Sequence, residues 1–195
     1  MEIVELILDE ENEEMTGIEA ISIVESGAIR SDFVALADQE IKLAKVDEEK
    51  RIVMGAALVP NRMIFRKRND TMFYVYFSKD TIRRASELFF QNGNQSNATL
   101  EHQMKANGLT VVESWIVEGE QDKSRIYGLD APVGSWVISM KVEDDEIWND
   151  IKEGKKYHGF SIEGFFADRA QIKRDSTQQE MEAILESEAE YMLSN

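Results

Sequence analysis

Leu109-Thr-Val-Val-Glu-Ser-Trp-Ile-Val117 and Val133-Gly-Ser-Trp-Val-Ile-Ser-Met-Lys-Val142 decide the fold class of this chain. Both are rich in β-branched and aromatic residues, and the Gly119 to Pro132 connection between them is punctuated by turn-forming residues, so both read as strands. Working towards the N-terminus, Met63 to Phe65 and Met72 to Phe77 read as a hairpin around Lys67 to Asp70. Arg51 to Val59 reads as a strand stopped by Pro60-Asn61. Glu2 to Leu8 alternates apolar and acidic residues in the manner of a half-buried strand, with an acidic turn at Asp9 to Glu14. Gly17 to Phe33 holds Ile18, Ile21, Ile23, Val24 and Ile29 without clear periodicity, and Asp38 to Lys50 reads as a charged loop. Towards the C-terminus, Tyr157 to Ala167 is the last expected strand.

Two helices interrupt this run. Ser78 is placed to cap Asp80 to Phe90, where Ile82, Ala85, Leu88 and Phe89 share one face. Asp144 or Asp145 is placed to cap a short helix bearing Ile147, Trp148 and Ile151, ended at Gly154. A strand-rich centre with inserted helices predicts an α+β domain built on a mixed or antiparallel β-barrel surrounded by helices. Strands do not alternate with helices and no Gly-rich phosphate loop follows a strand, so a doubly wound fold is disfavoured. The expected organisation is a domain over residues 1–168, with an acidic part at 1–50 and the barrel core at 51–168. An acidic helical tail follows at 169–195, where Ile184, Leu185, Tyr191 and Met192 fall at helical spacing.

The chain has 195 residues, 43% of them hydrophobic, enough for one sizeable core. No apolar run approaches the ~20 residues of a membrane span, and the start lacks the pattern of a secretory signal, so a soluble intracellular protein without membrane partners is expected. Cysteine is absent, which removes disulfides and thiolate chemistry. The net charge of −16 is uneven: residues 1–50 carry 15 acids against 4 bases, and residues 170–195 carry 6 against 2. Residues 51–169 are nearly balanced, at 17 acids and 16 bases. Phosphate neutralisation needs clustered cations, so nucleic acid is not an expected partner. Arg62, Arg66, Lys67 and Arg68 form the basic cluster, which reads as a strand end or a protein contact. Two His and no Cys leave little for a metal, and Asp144-Asp145-Glu146 reads as a helix N-terminus. No metal and no cofactor are expected.

The chemistry-bearing motifs are Leu100-Glu101-His102 and, 59 residues from His102 to Ser161, Gly159-Phe160-Ser161-Ile162-Glu163-Gly164. A serine hydroxyl is a poor nucleophile until a neighbouring imidazole accepts its proton, so one His and one Ser are the minimum of a serine hydrolase. Read from the two motifs alone, the favoured description is a small core serine on an edge strand and a satisfied loop histidine.

The surrounding residues add a pattern. Gly55-Ala-Ala-Leu-Val-Pro-Asn61, Tyr74-Val-Tyr-Phe-Ser-Lys-Asp-Thr-Ile82, Leu100-Glu-His102, Val112-Glu-Ser-Trp-Ile-Val117, Gly134-Ser-Trp-Val-Ile-Ser-Met140 and Gly159-Phe-Ser-Ile-Glu-Gly164 occur in that order. The opening Gly17-Ile-Glu-Ala-Ile-Ser-Ile-Val-Glu25 and Asp32-Phe33 belong to the same set. Over residues 1–168 the chain resembles the phage serine proteases of the XkdF type, relatives of prohead maturation proteases and, more distantly, of herpesvirus assembly proteases. The resemblance implies a β-barrel ringed by helices. It implies endoproteolysis of scaffold and major capsid proteins inside the assembling prohead in the host cytoplasm, with self-association and self-cleavage as further possibilities. It also implies that His102 and Ser161 are the catalytic pair, with their functional atoms within hydrogen-bonding reach.

The third member is open. Herpesvirus relatives use a second His after the Ser, and this chain has none there; His158 precedes Ser161 by three residues. Glu113, an acid among Val111, Val112, Trp115 and Ile116, needs an ion or hydrogen-bond partner and ranks first as the orienter of His102. Glu101 adjoins His102, Glu163 shares a strand face with Ser161, and Arg169 is a candidate helper at the oxyanion. Two other classes stay open: a catalytically silent capsid-assembly or scaffold-binding protein of the same fold, and a general hydrolase, although the Gly-x-Ser-x-Gly elbow is missing.

Overall fold

Capping residues and apolar alternation place most elements where the sequence predicts them. The computed structural model describes residues 2–9, 16–25, 43–47, 49–68 and 71–169. The chain runs β1 (Glu2–Ile7), β2 (Gly17–Val24), β3 (Ala44–Asp47), β4 (Ile52–Leu58), β5 (Ile64–Arg68) and β6 (Thr71–Phe77) into the helix α1 (Lys79–Gln91). It continues through β7 (Ala98–Leu100), β8 (Met104–Ala106), β9 (Leu109–Ile116), α2 (Lys123–Ile126) and β10 (Trp136–Val142). The last elements are α3 (Asp145–Lys152), β11 (Gly159–Phe165) and β12 (Ala167–Asp168). The expected tail from residue 170 onward and the acidic turn at 10–14 lie outside the described residues, as does the whole stretch from 26 to 42.

Ser78 caps α1 by accepting from the Thr81 N–H, and Asp144 caps α3 by accepting from Ile147 N–H. Each side chain satisfies one of the amides that a helix start leaves without a partner. The buried face of α1 carries Ile82, Ala85, Leu88 and Phe89, and Phe89 meets the fully buried Trp136 edge to face at 5.4 Å. The short helix α2, inside the expected Gly119 to Pro132 connection, has only one turn and so leaves no periodic signature in sequence.

The described strands form three four-stranded sheets, in the orders β12-β1-β6-β5, β3-β4-β10-β9 and β11-β2-β7-β8. Two of them are mixed, since β1 runs parallel to β6 and β2 runs parallel to β7, whereas the β3-β4-β10-β9 sheet is antiparallel throughout. The expected closed barrel is therefore corrected to three open sheets sharing one apolar core. The chain crosses between two of these sheets at β11 and β12. The register slips between Glu163 and Gly164, and the chain then passes from the β2 sheet to pair with β1 in another sheet. A bulge of this kind bends a strand out of its sheet instead of continuing the ladder. No helix among the described residues is long and apolar enough to cross a membrane.

β1 and β2 come from the acidic N-terminal part, yet they pair with strands of the expected barrel core. Periodicity did not reveal β3, a four-residue edge strand within the stretch read as a charged loop, nor β2. β2 lies between β11 and β7, and of its eight residues only Glu19 is exposed. A strand buried on both faces loses the apolar–polar alternation that marks a half-buried one.

Candidate active site

The candidate site lies on one face of the β11-β2-β7-β8 sheet. Successive side chains of a strand point to opposite faces. On β11, Phe160 packs towards β4: a Cβ added at Gly55 would meet Phe160 Cδ2 at 3.0 Å. Ser161 and Glu163 therefore share the other face, as their spacing predicts. Across the sheet, Ser161 is directly opposite Ser22 on β2, and Ser22 is directly opposite Thr99 on β7. Three hydroxyl side chains thus lie in one row over adjacent strands, about 5 Å from strand to strand.

His102 reaches this face from the tight turn that joins β7 to β8. Glu101 and His102 both adopt positive φ, 51° and 57°, and the Gln103 N–H donates to Leu100 O at 3.0 Å. Two left-handed central residues closed by that bond make a turn of the primed type, whose twist suits a hairpin. Neither residue is glycine, so the turn carries backbone strain of a kind that concentrates at functional sites. Glu101 helps to hold it, donating its N–H to Ile23 O and accepting the Glu25 N–H on Oε1 at 2.6 Å.

The His102 ring is held by Glu163. Nδ1 lies 3.0 Å from Glu163 Oε1, and the Thr99 hydroxyl donates to the same carboxylate oxygen. The backbone N–H of His102 donates to Ser22 Oγ at 3.0 Å. His102 is thereby anchored at Ser22, level with Ser161, while its ring reaches Glu163, level with Ala20. A carboxylate at Nδ1 favours a ring that donates from that nitrogen, which leaves Nε2 as the nitrogen available to a substrate or nucleophile. Among the described residues no hydrogen bond joins His102 to Ser161; in unliganded sites such bonds are often long and tighten around substrate. His102 is 38% exposed and Glu163 31% in their side chains, so the face is open to a ligand.

The carboxylate beside His102 is thus Glu163, and Glu113 lies elsewhere. Glu113 stands on β9, in a different sheet. Its oxygens accept from Lys123 Nζ at 2.7 Å and from the Ser139 hydroxyl at 2.6 Å. These contacts supply the compensation that an acid in an apolar strand demands. The Lys123 hydrogen bond first, and the Ser139 hydroxyl second, hold the Glu113 carboxyl below the usual carboxylate range. Arg169 forms a two-point ion pair with Glu5 on β1, through Nε at 2.9 Å and Nη2 at 3.2 Å. His158 is exposed and precedes β11, with its backbone bonded to Val24 and Leu43.

Ser22 and Thr99 were not among the residues that the sequence singled out. A signal existed in Ile21-Ser22-Ile23, a polar residue inside an apolar run, because a buried hydroxyl requires a partner. Gly164 closes the site's strand. A Cβ there would lie 2.9 Å from Gly17 C and from Ile18 Cα, and closer still to Gly17 O, so only glycine lets β11 approach β2 at the bulge.

A serine, an imidazole and a carboxylate gathered on one sheet face are the functional groups that nucleophilic acyl transfer uses. The family model described as "Putative phage serine protease XkdF" matches residues 40–171, and the chain belongs to that family. No curated protein and no solved structure matches the chain.

Proposed function

We propose that this chain is a serine endopeptidase of phage head maturation, with Ser161 as nucleophile, His102 as general base and Glu163 as the carboxylate that orients it. The observation that carries the reading is the 3.0 Å contact between His102 Nδ1 and Glu163 Oε1, on the same sheet face as Ser161. Family membership supports the reaction class. In this mechanism Ser161 Oγ attacks the scissile carbonyl carbon as its proton passes to His102 Nε2. Glu163 stabilises the imidazolium that forms and keeps the ring in one tautomer. The tetrahedral intermediate collapses as the imidazolium protonates the leaving amine. Water then repeats the sequence on the acyl-enzyme and regenerates Ser161.

The proposed substrates are the scaffold and major capsid proteins within the assembling prohead, and the proposed tail beyond residue 169 is a site of self-cleavage. The charge distribution supports protein substrates over nucleic acid, since a chain at −16 repels phosphate over a Debye length of ~8 Å. The test is co-expression with phage scaffold and capsid proteins, followed by intact-mass analysis. Discrete truncated products are expected with the natural chain and none with Ser161→Ala. Identical products from both would refute catalysis by Ser161 and favour a catalytically silent assembly protein.

A further inference from the structure

We infer that Ser22 and Thr99 are positioning residues of this site, two separate hydroxyls of which one fixes the His102 backbone and the other its ring. The inference rests on the protease reading and deepens it. Ser22 is fully buried, in the middle strand of the sheet, between the nucleophile's strand and the strand that leads to His102. Its hydroxyl is used twice: it accepts the His102 N–H at 3.0 Å and donates to Thr99 O at 3.4 Å. That acceptor is the Thr99 backbone carbonyl; the Thr99 side-chain hydroxyl separately donates to Glu163 Oε1, the atom that meets His102 Nδ1.

This arrangement answers a specific mechanical problem. His102 sits at a left-handed φ of 57°, a conformation that a non-glycine residue keeps only when its surroundings over-determine it. An exposed two-residue turn has few packing contacts with which to do so. The Ser22 hydroxyl supplies a fixed acceptor beneath the turn, delivered from a strand that cannot move without disrupting the core. The Thr99 hydroxyl occupies one acceptor site of Glu163, which leaves the remaining lone-pair direction of Oε1 for the imidazole. Both hydroxyls therefore act on the orientation of His102, and neither is placed to exchange protons with substrate.

The test compares Ser22→Ala, Thr99→Val and Thr99→Ser with the natural chain in two measurements. The first is the rate at which an organophosphorus fluoridate labels Ser161, together with kcat and KM for a cleaved peptide. Loss of orientation predicts a fall of about 10²-fold in labelling rate and kcat for Ser22→Ala and Thr99→Val, the cost of an ångström-scale misplacement, with KM unchanged. Thr99→Ser, which keeps the hydroxyl, should restore the natural rate. The second measurement needs no activity. The His102 Nδ1–H proton resonance should be downfield and protected from exchange in the natural chain and in Thr99→Ser, and broadened or lost in the other two. Unchanged resonances in Ser22→Ala and Thr99→Val would overturn the inference whatever the activity. Absence of labelling in the natural chain with the resonance pattern as expected would instead refute the protease reading and leave the two positioning hydroxyls standing.

Discussion

Replacing Gly164 by alanine is expected to damage the fold and the site together, and its magnitude follows from the geometry. The new Cβ would lie 2.9 Å from Gly17 C and Ile18 Cα and closer still to Gly17 O, where real Cβ contacts are not found below 3.0 Å. Every obstructing atom is backbone, so no side-chain rotation relieves the clash. Overpacking typically costs about 1–3 kcal/mol, and an unyielding backbone obstacle belongs at the upper end. Against this, alanine restricts the unfolded chain and returns about 0.4–1 kcal/mol. The net loss is then about 2–3 kcal/mol, which for a chain of this size lowers Tm by about 4–12 °C. Urea unfolding followed by tryptophan fluorescence measures it, since Trp136 is fully buried in the shared core. The same substitution must shift the bulge between Glu163 and Gly164, so labelling of Ser161 should slow even below the melting range. A variant within about 0.5 kcal/mol of the natural chain would show that β2 and β11 separate easily and would refute the close-approach reasoning.

Glu163→Gln should lower kcat by about 10²-fold or more, by analogy with other triads whose carboxylate is made neutral, whereas Glu113→Gln should leave kcat unchanged; the reverse ranking in peptide hydrolysis would return Glu113 to the site. Glu113 should affect stability instead. Its folded pKa lies below the usual glutamate range, so its contribution is present above that range and is lost as pH falls through the folded pKa. At 46% exposure the ion pair with Lys123 is worth no more than about 1 kcal/mol. The stability gap between the natural chain and Glu113→Gln should therefore be visible in urea titrations near neutrality and should close in acid; a gap that widens in acid would contradict the sign. Binding to capsid or scaffold protein should weaken as salt rises, and duplex DNA should not bind measurably at about physiological salt; micromolar DNA binding in a fluorescence titration would reopen the basic cluster at Arg62 to Arg68.

The elements of this protein are largely written in local sequence. Ser78 and Asp144 announce their helices because a cap acts on amides three residues away. Leu109 to Val117 announces β9 because β-branched and aromatic residues suit a pleated surface. The Ser161–Glu163 relation was legible for the same reason, since two residues on one strand share a face whatever surrounds them. β2 was illegible because burial on both faces erases alternation. Inspection ranks Glu113 above Glu163 as the orienter; both are acids in apolar strands, and local sequence does not show which strand lies beside His102. Glu163 meets His102 across 61 residues of chain only because β11, β2 and β7 pair in one register and a left-handed turn folds His102 back over their shared face. A one-residue slip in either pairing would send Glu163 or Thr99 to the opposite face. Local pattern thus determined which residue types stand on which strands. Strand order, register and turn handedness, which depend on how the whole core closes, decided which of them meet.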